Sequence, residues 1–175
     1  MFGRNPEERF KKLARNLEAM ERRDRARVAR EQELEELRQK AALELHGICT
    51  DFASRVNKIS ESVKLEVSPA SFSVDGFGEG QVQLIQIGVN GRMIQFTFQS
   101  TPEMESTEEI RFPYTLEGSI RWFNQEMLER DEVKDHMLYY CMDRNAWAWR
   151  WFDFQSRKLE LVTDDYLADR LEELI

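Results

Sequence analysis

GVNGRMIQFTFQS, residues 88–100, holds an Asn-Gly pair followed by a strict alternation in which Gln95, Thr97 and Gln99 separate Ile94, Phe96 and Phe98. Asn-Gly favours the type I′ turn that joins antiparallel strands, and a period of two sets the three apolar side chains on one strand face. The stretch predicts a β-hairpin with one polar face and one face covered by another layer. The longer run 70–100 has a second turn signal at Asp75-Gly76, which predicts a three-stranded meander after Pro69. Gly76, Gly78 and Gly80 have neither the Walker nor the dinucleotide spacing, and Glu79 repels phosphate at close range. They read as a hairpin connection that uses glycine for positive φ.

The covering layer is encoded upstream. NPEE (5–8) starts a helix, with Asn5 as cap, Pro6 at the first helical position and Glu8 completing a capping box. No further proline occurs before Pro69, and helix formers dominate. Phe10, Leu13, Leu17 and Met20 form a short apolar stripe that fades through ERRDRARVAREQE (21–33). It resumes as Leu34, Leu37, Ala41, Leu45, Ile48, Phe52, Val56, Ile59 and Val63, at the 3.6-residue spacing of a straight helix on a globular core. The unbroken phase predicts one helix over 34–64 along the sheet, with Gly47 tolerated at a cost of ~1 kcal/mol.

A continuous helix from residue 6 would be roughly 90 Å long, more than one core of this size can cover. The expected organisation is therefore a projecting charged helix over residues 1–33, which pairs with another chain, and a single α+β domain over 34–175. The candidate seam is Phe10, Leu13, Leu17 and Met20.

Downstream, IRFPYTL (110–116) carries Ile110, Phe112, Tyr114 and Leu116 on one face, and Pro113 points to an edge strand. Ile120, Phe123 and Met127 predict a short helix near 118–130. MLYYCM (137–142) and AWAWRWFDF (146–154) form a second hairpin through DRN, and Thr163 caps a terminal helix DDYLADRLEELI. The fold class is α+β: a long N-terminal helix on a mainly antiparallel sheet of about five to seven strands, with a short inserted helix and a C-terminal helix.

The 175 residues, 41% hydrophobic, support one core, and no stretch approaches the ~20 apolar residues of a membrane span. With the polar opening MFGRNPEERFKK, the chain reads as cytoplasmic, with Cys49 and Cys141 as reduced thiols. Residues 1–45 carry 12 Lys and Arg against 10 Asp and Glu, a net of +2, which leaves −10 of the formal −8 to the remainder. An acidic body disfavours nucleic acid, so any such binding rests on a weak basic patch, Arg22, Arg23, Arg27 and Arg30, diluted by interleaved acids. No apolar stripe lies beneath it to suit a membrane surface.

No catalytic, cofactor or metal motif is present. His46 and His136 accompany no HxH, HExxH or GxSxG pattern, and a metal site would require them to meet Cys49 or Cys141 in space. Asp164 and Asp165 suit a helix start. Trp147, Trp149 and Trp151 alternate onto one strand face, either as core or, for at least one of them, as an anchor for a partner. If that face is core, Arg150 points outward and Phe152 is partly exposed.

The sequence favours a non-catalytic protein-interaction or adaptor module, oligomeric through its N-terminal helix, with a protein partner. The alternative is an enzyme or ligand binder with a cavity between helix and sheet, hinted at by Tyr114, Tyr139, Tyr140 and Arg150. A basic-arm nucleic-acid binder comes third.

Overall fold

The computed structural model describes residues 6–73, 77–78, 80–107 and 110–175. Helix α1 spans Pro6–Ile59, and the chain divides into two units, Met1–Leu37 and Arg38–Ile175. In the first unit, residues 6–33 are exposed except for half-buried Ala19. Ion pairs one turn apart, Glu7–Lys11, Glu21–Arg25 and Arg27–Glu31, support the helix there. The proposed cap Asn5 lies outside the described residues.

The second unit is α+β. Among the described residues its sheet is a seven-stranded antiparallel meander in sequence order: β1 (Glu66–Ser68), β2 (Gln83–Val89), β3 (Arg92–Glu105), β4 (Tyr114–Phe123), β5 (Lys134–Asp143), β6 (Ala146–Asp153) and β7 (Lys158–Leu161). Helix α2 (Gln125–Glu129) joins β4 to β5, and α3 (Asp164–Glu172) follows β7. Local chemistry sets most boundaries. Asn90-Gly91 and Arg144-Asn145 turn two hairpins with positive φ at both central residues, as type I′ geometry requires. Thr163 accepts the Tyr166 N–H through Oγ1 at 3.2 Å and starts α3, with Asp164 and Asp165 in the first turn.

One sheet face packs under α1. Ile85, Ile87, Ile94, Phe96, Phe98, Leu116, Ile120, Leu138, Tyr140 and Trp149 are buried there, as are Ala41, Ala42, Leu45, Cys49, Phe52 and Ala53 of the helix. Two polar contacts fix the register of helix on sheet. Trp149 donates from Nε1 to the Ala41 carbonyl at 2.7 Å. Buried Arg38 donates from Nε to Thr115 Oγ1 at 2.8 Å and from Nη2 to the Thr101 carbonyl at 2.5 Å.

Several expectations need correction. The helix ends at Ile59 rather than near 64, and Ile59 is 85% exposed while Val63 is also exposed, so the stripe's last two members are not core. The first strand precedes Pro69 instead of following it, and the Asp75-Gly76 turn lies outside the described residues. Residues 118–123 are strand, and α2 begins only after Asn124, whose Oδ1 accepts the Met127 N–H at 2.9 Å. The apolar spacing at 120, 123 and 127 therefore spans two elements. Pro113 marks no edge: it precedes β4, a central strand, and its carbonyl accepts the Met142 N–H at 3.0 Å.

The largest correction concerns the second face of the sheet. A register shift between Tyr114 and Leu116 breaks the alternation, so Leu116 pairs with Tyr140 under the helix while Tyr114 pairs with Cys141 on the far face. There Ile110, Tyr114, Tyr139, Cys141 and Phe152 form a second buried cluster, with Phe112, Met137 and Leu159 packed against it. Arg150 and Phe152 do not face solvent; they are 8% and 4% exposed. The chain ahead of β4 folds back over this face, so both faces of β5 and β6 are covered.

Candidate functional site

The tryptophan strand divides into one core residue and two flanks. Trp149 is 1% exposed, with Phe98 edge-on at 5.1 Å between ring centroids and Tyr140 at 5.3 Å, and so is no surface residue. Trp147 is half-buried and stacks on Tyr140 at 5.5 Å. Trp151, also half-buried, stacks on His136 at 4.5 Å and on Tyr166 of α3 at 4.9 Å. Trp149 and Trp151 thus join the sheet to α1 and α3, while Trp147 packs on the neighbouring strand.

Around His136 the packing forms a polar aromatic knot. Its Nδ1 lies 2.9 Å from the Tyr166 hydroxyl, Trp122 is tilted against its ring at 4.8 Å, and the Arg170 guanidinium sits over both Trp122 and Tyr166. Glu173 accepts from Trp122 Nε1 at 2.9 Å and Lys134 Nζ at 3.0 Å, and pairs with Arg170. Burial and the Arg170 charge lower the His136 pKa, against a partial pull upward from Asp153, Asp135 and Glu173. Burial pushes the Glu173 carboxyl up, but its Trp122 and Lys134 hydrogen bonds and the Arg170 charge outweigh this and leave it lowered. Of the fully buried side-chain polar atoms in the knot, Arg170 Nε has no hydrogen bond. This arrangement docks α3; it exposes no nucleophile.

The other chemical candidates are similarly absorbed. His46 Nε2 is 2.7 Å from the Pro69 carbonyl and its ring stacks on Phe72, partners that His136 does not share. Cys49 and Cys141 are free and buried, and burial raises both thiol pKa values, so neither is poised as a thiolate. Among the described residues no three His, Cys, Asp or Glu side chains converge as a metal-holding group. Asp164 pairs with Arg55 at the start of α3. Tyr114, Tyr139 and Arg150 belong to the far face while Tyr140 lies under the helix, so the four residues that hinted at a cavity do not converge.

Two exposed features of the described residues bear on binding. The first is the stripe of α1: Phe10, Leu13, Leu17 and Met20 are between 50 and 66% exposed, and Val28 continues the exposed apolar surface. Of the basic patch, Arg27 pairs with Glu31 and Arg23 donates from Nε to the Ala19 carbonyl at 3.3 Å, as on a solvated helix face. Arg22 and Arg30 are exposed on the same segment.

The second is an open groove of about 420 Å³ on the far sheet face, beside the second buried cluster. It is lined by Val82, Thr97, Gln99, Glu117, Ser119 and Met137. Thr97 and Ser119 hydroxyls are 3.0 Å apart, and exposed Leu84 sits beside Thr97 in register. Burial, then the charge of Glu105, raises the Glu117 carboxyl above the usual range. Burial and both carboxylates push Tyr114 up to about 12. Sequence reasoning missed this groove because it read residues from 118 onward as helix. The alternation of Thr97 and Gln99 with buried Phe96 and Phe98 was its visible signal.

Comparison of the chain with protein-family models, curated proteins and solved structures found no match in any of the three. No helix is long and apolar enough to cross a membrane among the described residues.

Proposed function

We propose that this protein is a non-catalytic interaction module that self-associates through the N-terminal part of α1. The observation that carries the reading is the exposed stripe of Phe10, Leu13, Leu17 and Met20 on a helix segment exposed throughout except at half-buried Ala19. Four large apolar side chains in line on one helix face are costly in water and favour a partner. A helix with so few apolar contacts also gains order from pairing, since isolated helices are marginal. The engagement of both histidines, both thiols and the tryptophan strand in packing supports a binding rather than a catalytic role. Two buried thiols outside any disulfide are consistent with a cytoplasmic location.

Light scattering tests this. The full chain should have a concentration-dependent mass above 20.8 kDa, and the chain lacking residues 1–33 should remain monomeric with a cooperative melt. A full-length monomer at every concentration contradicts the reading.

A further inference from the structure

The seam itself is poorly suited to meet its own copy. It spans two helical repeats and then meets Asp24, four residues beyond Met20 on the same line. In a parallel, in-register pair, Asp24 would face Asp24 of the second copy. In an antiparallel pair, Phe10 faces Met20 and Leu13 faces Leu17. The flanks then bring Glu7 towards Glu21, and Arg9 towards Arg23, of the second copy. Like charges lie close in either orientation, and two repeats offer little apolar area to offset them.

A better-matched receiver exists on the same molecule. From this mismatch, and resting on the self-association reading above, we infer that the stripe of one copy docks in the far-face groove of a second copy. Apolar surface meets apolar surface: Phe10, Leu13 and Leu17 against exposed Val82 and Leu84 and half-buried Met137. Charge is complementary at two scales. The first 45 residues carry +2 and the remainder −10, so tail-to-body docking is attractive where body-to-body approach is repulsive. Locally, Arg9 lies beside the stripe and Glu117 beside the groove. A guanidinium there relieves the repulsion that Glu105 exerts on Glu117. Arg121, further along the same face, has Asp135 opposite it in register and does not oppose the approach.

The groove also has a physical reason to remain open. The chain around Ile110 and Phe112 covers β4 to β6 on this face, whereas Leu84 on β2 and Val82 just before it remain exposed. Helix-to-groove recognition of this kind places specificity in a few apolar anchors at one-turn spacing. Because donor and receiver are different surfaces, two copies exchange helices reciprocally or link head to tail.

Complementation between two variants decides it. One variant carries Leu13→Asp and Leu17→Asp with an intact groove; the other carries Leu84→Lys and Glu117→Lys with an intact stripe. All four positions are at least partly exposed, and circular dichroism melts check that both variants fold. Each alone should lose self-association at least ~10-fold, the loss of one hot-spot contact or more. Mixed in equal amounts, they should recover a hetero-complex by sedimentation velocity, since one good stripe meets one good groove. Self-association of the groove variant at the wild-type level overturns the inference, and so does failure of the mixture to associate while wild type does. A wild-type chain that stays monomeric sinks the self-association reading itself, a different outcome from either.

Discussion

Trp149 reaches across the helix–sheet interface and donates its indole N–H to the carbonyl of Ala41, 2.7 Å away and 108 positions earlier in the chain. The accepting carbonyl belongs to a helix interior, and the donor is fully buried between Phe98 and Tyr140. Packing and a directional bond therefore act at one point.

Trp149→Ala should cost ~3–5 kcal/mol of folding stability, a large fraction of a total near ~5–15 kcal/mol. Trp149→Phe keeps most of the ring and removes the donor, so a loss of ~1–2 kcal/mol isolates the hydrogen bond. Trp147→Ala, at a half-buried site, should cost less than Trp149→Ala. Urea melts of the three variants check the ranking.

Two glycine substitutions should move stability in opposite directions. A Cβ on Gly118 would lie 1.8 Å from the Thr97 carbonyl oxygen and 2.7 Å from Phe98 Cα, backbone atoms of the paired strand. Gly118→Ala is expected to destabilise by at least ~3 kcal/mol or to prevent folding. A Cβ on Gly47 meets nothing within 4 Å, and Gly47→Ala should raise stability by ~1 kcal/mol through helix propensity. Thermal melts suffice for both.

These positions also show what was legible in the sequence. Asn90-Gly91, Pro6 and Thr163 act through their nearest neighbours, so the hairpin, the start of α1 and the cap of α3 could be read directly. The phase of Ala41, Leu45 and Phe52 likewise identified the buried helix face. Arg150 and Phe152 were misread because their burial depends on Ile110 and Tyr114, some 40 residues away, and on a register shift that no periodicity records. The groove by Glu117 was hidden for the same reason: β4 is strand because its neighbours are strands, whereas Ile120, Phe123 and Met127 mimic a helical period.

Acid should weaken the fold through the knot around His136. A histidine whose folded pKa is lowered binds its proton less readily than in the unfolded chain, whose value is near 6.5, so stability is lost as pH falls below that point. Glu173, with a lowered folded pKa, contributes stability above its unfolded value of 4.5 and loses it as pH falls through the folded one. Melting temperature should therefore decline from about pH 6.5 downward. His136→Gln should flatten the upper part of that decline.

Glu117 has the opposite sign. Its raised folded pKa means that the protonated form is favoured on folding, so its contribution is present at low pH and lost as pH rises through the folded value. Glu117→Gln should raise the melting temperature at pH 7 and have little effect at pH 4. An equal shift at both pH values would contradict the raised carboxyl, which burial and then the Glu105 charge produce.

Arg38 offers a check on the core's polar anchor. Its guanidinium joins α1 to the Thr115 hydroxyl and the Thr101 carbonyl, and Thr101 Oγ1 in turn donates to the Thr115 carbonyl at 3.2 Å. Arg38→Ala leaves buried acceptors without their donor and should cost ~2–3 kcal/mol. Thr115→Val, which removes one acceptor but keeps the shape, should cost less; denaturant titration of both separates the two effects.

Self-association through the stripe of α1 is tested most directly by sedimentation velocity of the full chain beside the Leu13→Asp, Leu17→Asp variant. The wild-type sedimentation coefficient should rise with concentration while the variant, with an unchanged melt, stays at the monomer value throughout. Identical concentration-independent behaviour of the two proteins, or assembly of the variant as strong as that of wild type, would contradict it.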